Sequence, residues 1–172
     1  MKYALSLAFV GLAVLANWLA SKYVVGVPFT PYVAPAGVFC IGAALVLRDW
    51  IQQLAGLWWT LALVIVGGVA SYLIGDAAGW TALQKIAVAS LVAFIVSETI
   101  EAAVFTPLRN RSLTVGVLAS GLIGNAVDSW LFLTLAFGST AFFWGNFYGK
   151  AEMILVGGLM TALRRYRFPV TA

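Results

Sequence analysis

The stretch Lys85–Phe137, KIAVASLVAFIVSETIEAAVFTPLRNRSLTVGVLASGLIGNAVDSWLFLTLAF, decides how this chain folds. It is two long apolar runs joined by a short basic turn with Pro107, Arg109 and Arg111. About 20 apolar residues suffice for a helix to cross a bilayer core, and each run reaches that length. Yet each also carries polar groups at membrane depth: Glu98 and Glu101 in the first, Asn125 and Asp128 in the second. An ionisable group there is unfavourable by about 2.5–3.5 kcal/mol on insertion scales, so such groups face a bundle interior or a water-filled cavity and mark a pathway. This helical pair is the candidate functional centre.

The whole chain has the same character. Of 172 residues, 63% are hydrophobic and 9% charged, with mean hydropathy +1.00, against about 25% charged in a soluble domain. The expected fold is an all-α integral membrane protein, a six-transmembrane-helix bundle forming a single membrane domain over 1–172. Its helices are expected at 4–21, 36–54, 57–75, 80–106, 113–137 and 141–163. The first run follows Lys2 but is long, contains Asn17 and Trp18 and leads into further apolar runs, so it reads as a helix rather than a signal peptide. Between helices 1 and 2, Pro28, Pro31 and Pro35 remove amide donors and predict an irregular loop. Pro107 and the turn after it are expected to end helix 4.

Six spans put both termini and the turns after helices 2 and 4 on one side. That side holds Lys2, Arg48, Arg109, Arg111, Arg164, Arg165 and Arg167, seven of the ten basic residues. Lysine and arginine favour cytoplasmic loops, so both termini are expected in the cytoplasm. The net charge of +4 then reflects topology and contact with anionic headgroups. Nucleic-acid binding is a poor fit, because the basic residues are split among turns and a short tail. The chain has no histidine, which excludes a histidine-dependent metal site or proton relay, and its single cysteine, Cys40, has no partner for an internal disulfide.

Depth follows from a rise of about 1.5 Å per residue. From the inner turn, Glu101 and Glu98 lie roughly 8 and 12 Å deep, Asn125 roughly 18 Å and Asp128 roughly 22 Å; Lys150 reaches roughly 14 Å from the other end of helix 6. The pairs Glu98/Glu101 and Asn125/Asp128 are spaced i,i+3 and Asn146/Lys150 i,i+4, so each pair shares a helix face. Helix 1 adds Asn17 to the same region. Two readings stand side by side: these groups line a substrate site, or they are structural pairs and interhelical glue. Gly116, Ser120 and Gly124 on helix 5, and Ala16 with Ala20 on helix 1, have the small-xxx-small spacing of close helix packing.

Taken in order, several segments resemble one family. NWLASK at 17–22 is similar to an Asn-x-x-Ala-x-Lys segment, PAG at 35–37 follows it, and RDWIQQLAG at 48–56 is similar to Asn-Asp-x-x-x-Glu-x-x-Gly. SETIEAAVF at 97–105 resembles Ser-Gln-x-x-Asp-x-x-x-Phe, ASGLIGNAVDSWLF at 119–132 resembles Ser-x-x-Gln-x-x-Asp, and Lys150 stands where a helix 6 lysine occurs. In this order the segments resemble the VUT family of small bacterial membrane proteins, the queuosine precursor transporters. Their six-helix fold is considered similar to the substrate-binding components of energy-coupling-factor vitamin transporters. Among the departures from the pattern, Gln53 replaces an acid, Glu98 an amide, Glu101 an aspartate and Asn125 a glutamine.

The resemblance implies uptake of 7-cyano-7-deazaguanine or 7-aminomethyl-7-deazaguanine across the bacterial cytoplasmic (inner) membrane, without a cofactor, a metal or enzymatic chemistry. The substrate-binding residues it implies are Asn17, Glu98, Glu101, Asn125, Asp128 and Lys150. One carboxylate can accept the ring N–H and amino group of a guanine-like edge, with Asn125 or Lys150 donating to the carbonyl. Besides substrate and lipid bilayer, the partners left open are a second copy of the chain and a coupling module. The alternatives are a vitamin-binding component that docks an ATP-driven module through the small-residue face of helix 1, and an accessory membrane protein that transports nothing.

Overall fold

The computed structural model describes residues 2–109, 113–153 and 155. Five helices are complete within it: α1 (Lys2–Lys22), α2 (Val38–Ala55), α3 (Leu57–Ala77), α4 (Thr81–Arg109) and α5 (Leu113–Phe137). A sixth, α6, is helical over 143–153. Among the described residues, four helical stretches are long and apolar enough to cross a membrane: Lys2–Lys22, Trp58–Ala77, Thr81–Leu108 and Ala119–Phe137. The protein is thus an all-α, multi-pass membrane protein. The expected turn at 110–112 and the expected end of helix 6 with its basic tail lie outside the described residues.

Small and polar groups share the interior with a few large apolar side chains: Ala16, Ala87 and Ala93, with Ser71, Ser120 and Ser129, are all nearly or fully buried, as are Ile51, Leu83 and Leu133. Large apolar side chains such as Leu7, Trp58, Ile65 and Leu73 point outward. Lipid tails are as apolar as leucine, so burying leucine brings no advantage in a bilayer; small residues let backbones approach and hydroxyls bond between helices. The α4/α5 pair forms the most extensive helix contact, and α1 packs against α2 and α3. Ala16 and Ala20 of α1 are buried inside the chain, with the Ala16 carbonyl lying against Gly37 at the start of α2. The small-residue face of α1 is therefore occupied internally and is not a docking surface.

Two expectations about proline change. The segment between α1 and α2 is a two-stranded antiparallel hairpin, β1 (Val24–Gly26) with β2 (Val33–Pro35), in the register Val24↔Pro35, Val25↔Ala34, Gly26↔Val33. Its prolines occupy positions a ladder tolerates: Pro28 and Pro31 lie in the tip, and Pro35 ends its strand. The tip is closed by the Val27 amide donating to the Tyr32 carbonyl at 2.9 Å, and by the Thr30 hydroxyl donating to the Val27 carbonyl at 3.0 Å. Likewise Pro107 lies inside α4, which continues to Arg109. A proline two residues from a helix end removes one hydrogen bond from a turn that has few carbonyls left to satisfy.

The hairpin anchors α6. Tyr32 stacks on Tyr148 with ring centroids 5.8 Å apart and planes 8° from parallel. Gly145 meets the hairpin backbone so closely that a Cβ there would collide with the Val33 carbonyl. At the other end of α2, a single residue, Gly56 with φ 85° and ψ 169°, reverses the chain into α3. No residue with a Cβ adopts that conformation readily.

Backbone cannot yield as a flexible side chain can, so Gly145→Ala should destabilise the protein by about 1–3 kcal/mol. Gly121→Ala, on α5 with open space around it, should be neutral or stabilising through helix propensity. Thermal unfolding of both variants in detergent micelles checks the contrast.

Candidate functional site

Helices α5 and α6 meet through polar residues. Asp128 on α5 and Lys150 on α6 form an ion pair, with the Lys150 side chain 4% exposed. One turn away, the Asn125 amide nitrogen donates to the Phe147 carbonyl at 3.1 Å, and its oxygen accepts from the Ser129 hydroxyl at 3.3 Å. Asn125, Asp128 and Lys150, expected together from their depths, are brought together. Asn146, four residues before Lys150 on the same face of α6, completes the group and is 2% exposed. Its amide nitrogen meets no hydrogen-bond partner among the described residues.

A second polar layer lies farther from the hairpin. Glu98 on α4 pairs with Arg48 on α2, whose guanidinium also lies 5.8 Å from the Phe94 ring centre. Arg48 is about 10 Å from the end of α2 at one rise of 1.5 Å per residue, too far inside to act as an interfacial anchor. Glu101, one turn from Glu98, sits against α5 at Gly124, where a Cβ would come within 2.8 Å of its carboxylate oxygen. The small-residue stripe of α5 thus gives Glu101 its seat.

Asn17 belongs to a different contact. Its amide donates to the Ser71 hydroxyl at 3.0 Å, joining α1 to α3, and Ser71 in turn donates to the Gly67 carbonyl at 2.9 Å. This is interhelical glue, separate from both ion pairs. A groove of about 390 Å³ bounded by Tyr72, Gln84, Lys85, Val88, Val92 and Leu135 opens on the outside of the bundle, and none of the paired carboxylates reaches it. The polar layers, not this apolar groove, hold the groups able to recognise a polar molecule.

Two site residues emerge more clearly in three dimensions than in sequence. Arg48 sits in a polar cluster near a helix end, which reads as a cap until its partner on α4, 50 residues away, is known. A depth count along α2 would have singled it out. Asn146 carries only a spacing signal, its i,i+4 relation to Lys150.

Chemically, the site holds three carboxylates, two cations and two amides, of which Lys150 and Asn146 are almost fully buried. Removing one member of a buried pair leaves an uncompensated charge, at about 3–5 kcal/mol, whereas replacing both by apolar groups is often neutral. Lys150→Met should therefore lower the unfolding temperature sharply, and Lys150→Met combined with Asp128→Leu should recover most of the loss. Thermal unfolding of the single and double variants at one pH measures the coupling.

No curated protein and no solved structure matches this chain. A family model does match, over residues 77–163, which is α4, α5 and the segment carrying Asn146 and Lys150. That match covers half of the chain and both ends of the Asp128–Lys150 pair. The protein belongs to the membrane transporter family described as "Putative vitamin uptake transporter".

Proposed function

We propose that this protein is a cytoplasmic-membrane uptake transporter for queuosine precursors, 7-cyano-7-deazaguanine or 7-aminomethyl-7-deazaguanine, with six spanning helices and both termini in the cytoplasm. The observation that carries the reading is the Asp128–Lys150 pair across α5 and α6. A guanine-like edge presents two adjacent N–H donors and a carbonyl. Asp128 can accept both donors with its two oxygens, and Lys150 can donate to the carbonyl, so the substrate inserts between the members of an existing pair. Each charged group exchanges one partner for another and is not left bare in a low-dielectric interior.

The remaining residues take supporting roles in this scheme. Asn125 is committed to Phe147 and Ser129 and fixes α5 against α6. Arg48–Glu98 and Glu101 form the next polar layer along the path. Asn17 ties α1 to α3 through Ser71. Rocking of one group of helices against another would then alternate access to the site.

A second reading takes the family description literally, with a vitamin as substrate, and adds an ATP-driven coupling module as partner. Such a module would have to dock elsewhere than on Ala16 and Ala20, which are buried within the chain. Co-purification with a coupling module would favour it.

The test is queuosine content of tRNA in a bacterium lacking both precursor synthesis and its own transporter, supplied with limiting 7-cyano-7-deazaguanine. Wild type should restore queuosine. Asp128→Asn should lower the initial uptake rate about tenfold or more, the scale of one charge-assisted hydrogen bond, and Glu98→Gln should also lower it, both at matched membrane abundance. Failure of well-expressed wild type would remove the deazaguanine substrate and leave the vitamin reading.

A further inference from the structure

The amide nitrogen of Asn146 is the unexplained group in this interior. The residue is 2% exposed, it lies one helical turn from the Lys150 ammonium on the same face of α6, and the amide nitrogen has no hydrogen-bond partner among the described residues. Buried polar groups are almost always paired, so an unpartnered one calls for a specific explanation. Its backbone amide is already satisfied by the Phe142 carbonyl at 2.9 Å, so the helix makes no further use of it. The other amide of the layer, Asn125, is committed at both ends to protein atoms. Asn146 is therefore the amide in this layer with a donor to offer.

We infer that Asn146 is a specificity-determining residue that donates to an acceptor on the 7-substituent of the substrate, and so selects a nitrile over hydrogen at that position. This inference rests on the deazaguanine reading above. With Asp128 on the donor edge and Lys150 on the carbonyl, the 7-substituent projects from the same edge of the fused ring as the carbonyl, and Asn146 is the amide one turn from Lys150 on its helix face. A nitrile nitrogen there accepts the Asn146 N–H. A ligand with hydrogen at that position leaves the buried Asn146 donor unpaired, the arrangement by which a polar site rejects a near-isosteric ligand.

The experiment measures binding of three probes to the purified protein in lipid nanodiscs: 7-cyano-7-deazaguanine, 7-aminomethyl-7-deazaguanine and 7-deazaguanine, which has hydrogen at that position. Wild type should bind the cyano compound about tenfold more tightly than 7-deazaguanine. Asn146→Leu should abolish that ratio by weakening the cyano compound, and should raise the unfolding temperature of the ligand-free protein by removing an unpaired donor. Asn146→Ala, which also lacks the donor, gives the same comparison in a second background, and Asn146→Asp should shift preference toward the aminomethyl cation. A cyano preference that survives all three substitutions overturns the inference and leaves the proposed function standing. Absence of binding of all three probes to wild type overturns the proposed function, and the inference with it.

Discussion

A charge inside a hydrocarbon slab must find an opposite charge, and in this protein that requirement ties together helices far apart in sequence. Arg48 and Glu98 join α2 to α4, and Asp128 and Lys150 join α5 to α6. A charge held by a partner this way is tolerable at membrane depth, but the desolvation of two ions offsets much of their attraction. Such pairs are therefore poor devices for stability alone. They are good devices for recognition, because a polar ligand can take the place of either partner.

The rest of the bundle makes that arrangement possible by keeping the helices close. Alanine and serine occupy much of the interior beside Ile51, Leu83 and Leu133, and many large apolar side chains face outward. Close approach of α4 and α5 at Gly124 seats Glu101, and close approach of the hairpin to α6 at Gly145 sets the end of the helix that carries Asn146 and Lys150. The stacked Tyr32 and Tyr148 rings extend the same contact. Packing of small residues and placement of charged ones are in this sense one design: the first fixes the distances that the second needs.

Much of this was legible in the sequence. The apolar runs locate α1 to α5 to within a few residues, because membrane length and helical rise leave little choice. The depth count puts Glu98, Glu101, Asn125, Asp128 and Lys150 in one region; within it Asp128 pairs with Lys150, whereas Glu98 pairs with Arg48. Pairing across long separations was not legible: Arg48 and Glu98 are 50 residues apart and Asn17 and Ser71 are 54 apart, and a helix face does not name its neighbour. Depth alone placed Asn17 with the carboxylates, whereas rotation about the axis of α1 turns it toward α3. The hairpin was hidden for a different reason. Three prolines suggest irregular backbone, yet each sits at a tip or strand end where a missing amide hydrogen has no effect on the ladder.

The central claim is that substrate binds by replacing Lys150 as the partner of Asp128. Solid-state NMR in lipid bilayers, with lysine Nζ labelled by nitrogen-15 and aspartate Cγ by carbon-13, reads that contact as a dipolar coupling, assigned by its loss in Lys150→Met. The account predicts a coupling in the protein alone that disappears at saturating 7-cyano-7-deazaguanine. Saturable binding with the Lys150–Asp128 coupling unchanged would contradict it.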